Sequence, residues 1–436
     1  MLDDIKVPKR IANIIMNALQ GGVVPRTGLG YIAVGRDAEI SALLKDIEII
    51  ENGGATFRFV TGNYGSGKTF LLQTIKEHAM AKGFVVADAD LSPERALIGT
   101  VMNKKGLATF RELMGNISIK TSPTGAALEK ILDNWLNSIW MEVAKNSAGG
   151  GISGNQMLEL VTNQIYDTIL GMGELVNGFD FANVLIIYWK AKQANDKETK
   201  NKALRWLRGE YRLKREAQVD LGISSIINDD DWFNYIKIYA EFFVKMGYKG
   251  FIIMIDEMIN IYKCSHPVTR QNNYERMLNM YNDALQGKAR HLGIIMGGTP
   301  KSVMDPYKGV FSYEALKSRL ETGRFHNLNV VNLMTPIIRI QPLSKSEIIV
   351  LLEKVAKIHA DLYVYELLVK EDDLVDFVEL IFNDPGNKYI TPRSIIRDFI
   401  NVLNILYQNP DKTIKDIMNE YEYSSDQEIE PKEIDG

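Results

Sequence analysis

The chain has 436 residues, 46% hydrophobic and 24% charged, with 51 basic side chains against 55 acidic ones. That balance excludes a disordered, collagen-like or disulfide-scaffold protein and leaves room for two to three domains of ~100–200 residues. The longest apolar runs, at 184–188 and 251–255, fall far short of the ~20 residues a membrane-crossing helix needs. The first residues are acidic rather than basic-then-apolar, and Cys264 is the one cysteine, so the expectation is a soluble cytoplasmic protein with no membrane partner.

Read in order, the pattern predicts a helix over 8–19, a Gly-rich entry at 21–35 and a helix over 37–51. A short β-run at 56–61, a glycine loop, a helix over 69–81 and a strand over 84–90 follow. Residues ~100–248 read as mostly helical. Strands return at 250–255, 292–297 and 337–341, and the pattern from 344 to about 408 is helical again. Strands alternating with helices predict an α/β protein built on a parallel sheet flanked by helices. The expected divisions are 1–99 and 249–343 for the two parts of the sheet domain and 100–248 for a large helical insertion. A small helical domain takes 344–410, and an extension with an acidic tail takes 411–436. The stretch 146–155 reads as a flexible loop.

The firmest chemistry lies at Gly62-Asn63-Tyr64-Gly65-Ser66-Gly67-Lys68-Thr69, which matches G-x-x-x-x-G-K-[ST] between a strand and a helix that continues through Phe70. Glycines at 62, 65 and 67 let the main chain curl so that successive N–H groups converge on one anion, and the helix start adds its dipole. Lys68 then reaches the β- and γ-phosphates and the Thr69 hydroxyl ligates Mg²⁺. The apolar run 250–255 ends in Asp256-Glu257, as a strand buried on both faces would at its carboxyl end. Asp256 is the expected second metal residue and Glu257 the expected polariser of the attacking water. Each Asn-Lys pair lacks the aspartate three places after the asparagine that guanine recognition uses, so ATP is expected over GTP: Gly106, Leu204 and Ile390 stand there instead.

This order of parts resembles the AAA+ class of P-loop ATPases. The resemblance implies a third strand ending in a polar residue, Thr299, at the sensor 1 position between the Asp-Glu strand and the phosphate loop. It implies an arginine finger near the end of that region, Arg319 or, in reserve, Arg324. It also implies a helical lid whose Thr391-Pro392-Arg393 start carries the sensor 2 arginine. Val34-Gly35-Arg36-Asp37 resembles the N-terminal Gly-Arg box that packs near adenine in initiator-like and STAND ATPases; Asp37 also reads as a plain helix cap. The stretches Arg111-Glu-Leu-Met, Asn273-Tyr-Glu, Gly297-Gly-Thr-Pro and Phe311-Ser-Tyr-Glu-Ala-Leu resemble the ATP-binding proteins of BREX phage-defence systems, from about residue 21 to 407. That resemblance implies a bacterial or archaeal cytoplasmic ATPase acting beside DNA-handling partners in defence; the AAA+ reading adds a homo-oligomer with a shared subunit interface, and a helicase or methyltransferase is a further expected partner. A STAND-like nucleotide switch and a non-hydrolysing scaffold are the alternatives.

One further stretch stands out. From Lys190 to Glu216 ten basic residues face four acids, interleaved with Trp189, Trp206 and Tyr211. Basic and aromatic residues together suit phosphate contacts and base stacking, and the same pattern also fits a solvated helix face over a packed core. The histidines and Cys264 offer no zinc spacing.

Overall fold

A computed structural model describes residues 6–100, 103–146, 153–172, 178–321, 332–383 and 391–427. Arg324, most of the loop at 146–155 and the last nine residues of the acidic tail lie outside these. In chain order come α1 (Lys9–Gln20), α2 (Asp37–Glu51), β1 (Ala55–Thr61), α3 (Lys68–Ala81) and β2 (Val85–Asp90). Next are α4 (Lys105–Gly115), α5 (Leu128–Asn146), α6 (Gly154–Leu170), α7 (Gly178–Gln193), α8 (Lys197–Leu207), α9 (Lys214–Leu221) and α10 (Trp232–Lys245). The strands then return: β3 (Phe251–Asp256), α11 (Ile259–Tyr262), α12 (Pro267–Leu285), β4 (Leu292–Gly298), α13 (Pro300–Met304), α14 (Glu314–Leu320) and β5 (Ile337–Arg339). Four helices close the described chain: α15 (Lys345–Tyr363), α16 (Glu371–Asn383), α17 (Pro392–Gln408) and α18 (Ile414–Gln427).

The strands form one parallel five-stranded sheet in the order β2-β3-β4-β1-β5. Every residue of β3 and β4 is buried, which is why their sequences run apolar without alternation. Because all strands run the same way, their carboxyl ends share one edge. Asp90 pairs in register with Asp256, and Thr61 with Gly298. β4 lies between β1 and β3.

The chain divides into two units. One comprises Ser41–Thr61 and Ile75–Arg339, hence the sheet and helices α4 to α14. Residues 100–248 do not build a separate core there: the buried side chains of α4 to α10 belong to the same hydrophobic cluster as those of β2, β3 and β4. Phe243 of α10 meets Phe251 of β3 edge-on at 5.1 Å, and Phe181, Tyr239 and Phe242 interlock with centroids 5.2 Å apart. The buried Asp229 accepts from the Gly99 N–H at 2.6 Å and the Leu107 N–H at 2.9 Å, joining the exit of β2 to α4.

The other unit comprises Met1–Ile40, Gly62–Thr74 and Ile340–Gly436. Its core gathers Ile15 and Met16 of α1, Leu352 and Val355 of α15, Phe377 of α16 and Phe399 and Leu403 of α17. Helices α15 and α17 both begin with a capping box, Ser344 with Glu347 and Thr391 with Ser394, which satisfies first-turn N–H groups.

Candidate functional site

The loop that leaves β1 is held in shape by its own residues. The Ser66 N–H donates to the Asn63 carbonyl at 3.1 Å, and the Leu71 N–H donates to the Gly67 carbonyl at 2.9 Å, starting α3. Gly65 has φ +76°, and a Cβ there would lie 2.7 Å from Cβ and Cγ2 of Thr391, so both backbone and space demand glycine. The Lys68 ammonium donates to the carbonyls of Gly62 at 2.8 Å and Asn63 at 3.0 Å and lies 5.6 Å from the Tyr64 ring centroid. Ser66 Oγ is buried with no hydrogen-bond partner. A curled main chain, a lysine at its mouth and an unpaired buried hydroxyl fit a polyphosphate tail, which would supply acceptors to all of them.

The loop also meets both ends of its own unit. Thr391, the N-cap of α17, is the residue against Gly65, and two positions on the exposed Arg393 passes its Cγ and Cδ methylenes beside Gly22. The start of α17 is therefore beside the glycine loop at 62–69. Arg36, 5% exposed, donates from Nη2 to the Ser66 carbonyl at 2.9 Å and to the Gln341 carbonyl at 2.7 Å. The resemblance implied that the backbone and an apolar side chain of the box at Val34–Asp37 pack near adenine; the Arg36 guanidinium itself binds main-chain carbonyls. Asp37 is the first residue of α2.

In the sheet unit, Asp256 ends β3 and is 8% exposed, its Oδ1 accepting from the Glu257 N–H at 2.8 Å. Glu257 takes φ +62°, a left-handed conformation that costs a non-glycine residue ~1–2 kcal/mol. The residues after it are anchored: the Met258 N–H donates to the Gly297 carbonyl at 3.0 Å, and Asn260 Nδ2 donates to the Leu91 carbonyl at 2.8 Å. Backbone strain that neighbours hold in place is characteristic of functional positions. Thr299 follows β4, 8% exposed, and its side chain caps α13 by accepting from the Ser302 N–H at 3.2 Å.

Sequence reasoning missed Asp90. It stands beside Asp256 across the β2–β3 pair. Loss of water around its carboxyl, then the charges of Asp256, Glu257 and Asp88, raise its pKa above the ordinary value, with Arg95 opposing. The signal was available in the strand ending Asp88-Ala89-Asp90, a second acidic carboxyl end in a sheet expected to be parallel.

Arg319, at the end of α14, donates from Nη1 to the Ala315 carbonyl of its own helix at 2.6 Å. The basic stretch at 190–216 needs a correction. Trp189, Trp206 and Tyr211 are at most 1% exposed and pack in the core, so none offers a face for base stacking. Several of the basic groups have acidic partners inside the unit: Lys192 pairs with Asp133 at 3.0 Å, Lys200 with Glu129 at 2.8 Å, and Lys202 with Glu198 at 2.8 Å and Asp220 at 3.3 Å. The helix-face reading is the one the packing supports. No helix among the described residues is long and apolar enough to cross a membrane, and no group of three or more His, Cys, Asp or Glu side chains among them could hold a metal.

Among protein families, the model described as BREX system ATP-binding protein BrxC/D matches residues 7–422 of the chain. No curated protein matches it.

Proposed function

The chain belongs to the BREX system ATP-binding BrxC/D family, and we propose that it binds ATP on residues 62–69 and hydrolyses it. The observation that carries this reading is the loop itself: Gly65 in a left-handed turn, Lys68 across the loop mouth and Ser66 Oγ buried without a partner. The main-chain amides of 62–69 would bind the β- and γ-phosphates, with the Lys68 ammonium moving from the Gly62 and Asn63 carbonyls to the phosphate oxygens. Thr69 and Asp256 are the residues that would hold Mg²⁺, which supplies neutralisation of the charge on the transferred phosphoryl group. Support for Asp256 comes from the sheet: it ends β3 on the same edge from which the chain leaves β1 for the loop.

In this reading Glu257 accepts a proton from, and orients, the water that attacks the γ-phosphorus. Thr299, one residue beyond β4, would hold that water from the other side, and Arg393 at the start of α17 would bind the γ-phosphate. Arg319 would act on the site of a neighbouring copy in a homo-oligomer. Hydrolysis would then serve DNA or DNA-processing partners of the defence system, in the cytoplasm.

The test is phosphate release from Mg²⁺ and ATP by the full chain, with and without DNA, beside a Glu257→Gln variant and a measurement of solution mass. Expected is turnover in the wild type and a loss of ~100-fold or more in the variant with ATP binding kept. Equal turnover in both, or none in either, would remove the hydrolytic role of Glu257.

A further inference from the structure

Residues 33–36 connect three parts of one unit. The Ala33 carbonyl accepts from Lys354 Nζ of α15 at 2.7 Å. Gly35 lies so close to the start of the same helix that a Cβ there would overlap the Glu347 carboxylate. Arg36 then reaches both the phosphate loop and Gln341, the second residue after β5, with a single nitrogen. Its other terminal nitrogen lies 3.3 Å from Glu39 Oε1. A guanidinium that is 5% exposed, with that carboxylate and two carbonyls around it, is committed to holding main chain.

We propose that Arg36 is a positioning residue for phosphate recognition, acting through the 66–67 peptide; this rests on the reading that residues 62–69 bind a polyphosphate. A trans peptide unit is planar, with its C=O and N–H pointing in opposite directions. Arg36 fixes the Ser66 carbonyl toward itself, which turns the Gly67 N–H of the same unit the other way. A charge-assisted hydrogen bond at the oxygen also polarises the unit and makes that N–H a stronger donor. Without the guanidinium the glycine-flanked peptide is free to rotate and present an oxygen, instead of a hydrogen, to the anion. The role differs from a contact with the base, because its effect travels entirely through the phosphates. The bond to Gln341 adds a second consequence: the loop and the segment leading into α15 share one anchor, so the anion-binding geometry is tied to the position of that helix.

The experiment uses the full chain and two probes: ATP with Mg²⁺, and inorganic tripolyphosphate, which has no base. Affinities are measured by calorimetry for the wild type, Arg36→Met and Arg36→Lys, with melting curves recorded for each. Arg36→Met should weaken both probes by the same factor, ~10- to 100-fold, the scale of a lost hydrogen bond to a charged group. Arg36→Lys, which reaches one carbonyl at a time, should recover part of the loss for both; if the Met variant does not fold, the Lys variant alone should show the parallel, smaller loss. A loss confined to ATP would overturn the proposal and place Arg36 at the base. Unchanged affinity for both probes would overturn it as well. A wild-type chain that binds neither probe would instead sink the ATP reading, and this role with it.

Discussion

The contact between Gly65 and Thr391 makes the sharpest demand on the arrangement around the phosphate loop. Replacing Gly65 by alanine forces an L residue to keep φ +76°, at ~1–2 kcal/mol. The new methyl would sit 2.7 Å from both Cβ and Cγ2 of Thr391, closer than real carbon contacts come, and overpacking of this kind adds ~1–3 kcal/mol. The total is about 2–5 kcal/mol, and its two parts separate in a double mutant. Thr391→Gly removes both clashing carbons while costing the N-cap of α17 only a few tenths of a kcal/mol. Denaturant unfolding of the wild type, the two single variants and the double variant should therefore show a favourable coupling of ~1–3 kcal/mol, with the backbone part of the cost remaining. Additive costs, within ~0.5 kcal/mol, would mean that the start of α17 does not rest on the loop.

Other outcomes follow from buried polar groups. His359 is fully buried, its Nδ1 2.8 Å from the Tyr365 hydroxyl and its Nε2 3.1 Å from Asn404 Oδ1, an environment that a neutral ring satisfies. Burial lowers its pKa, so the unfolded chain takes up the proton first as pH falls. Stability should be full above about pH 6.5 and decline below it, and His359→Gln should flatten that decline; an unchanged slope in urea midpoints between pH 7 and 5 would contradict the assignment. In the sheet unit, Arg58 grips the buried Asp46 through two bonds of 2.6 and 2.7 Å and also donates to the Thr335 carbonyl at 2.6 Å. Arg58→Ala strands that carboxylate and should cost ~3–5 kcal/mol, whereas the pair Arg58→Met with Asp46→Leu should recover most of it; equal losses in the single and double variants would refute a desolvated pair.

Much of the sheet was readable because burial on both faces leaves a mark in each strand separately. Phe251–Ile255 is apolar without alternation, as a strand covered on both faces would be, and its length and β-branched content set it apart from a buried helix. The glycine loop after β1 was readable for a similar reason: the motif that marks it is local, all of it inside the eight residues 62–69. What stayed hidden depended on distant partners. The basic run at 190–216 gave its composition but not the carboxylates of Glu129 and Asp133 that face it from α5, nor the burial of its aromatic rings. The role of Arg36 needs Ser66 and Gln341, 30 and 305 positions away, and no periodicity encodes either. Asp90 lies between these cases, legible as an acidic strand end but meaningful only once the β2–β3 register sets it beside Asp256.

The central claim is that one nucleotide is held by the amides of 62–69 and faced by the acids ending β3. A structure of the full chain with Mg²⁺ and a non-hydrolysable ATP analogue tests it most directly. The account requires the analogue's phosphates on those amides, with Lys68 on a terminal phosphate oxygen, Asp256 in the metal's coordination shell and Glu257 within one water of the γ-phosphorus. Phosphates seated elsewhere, or Asp256 and Glu257 remote from the metal, would contradict it.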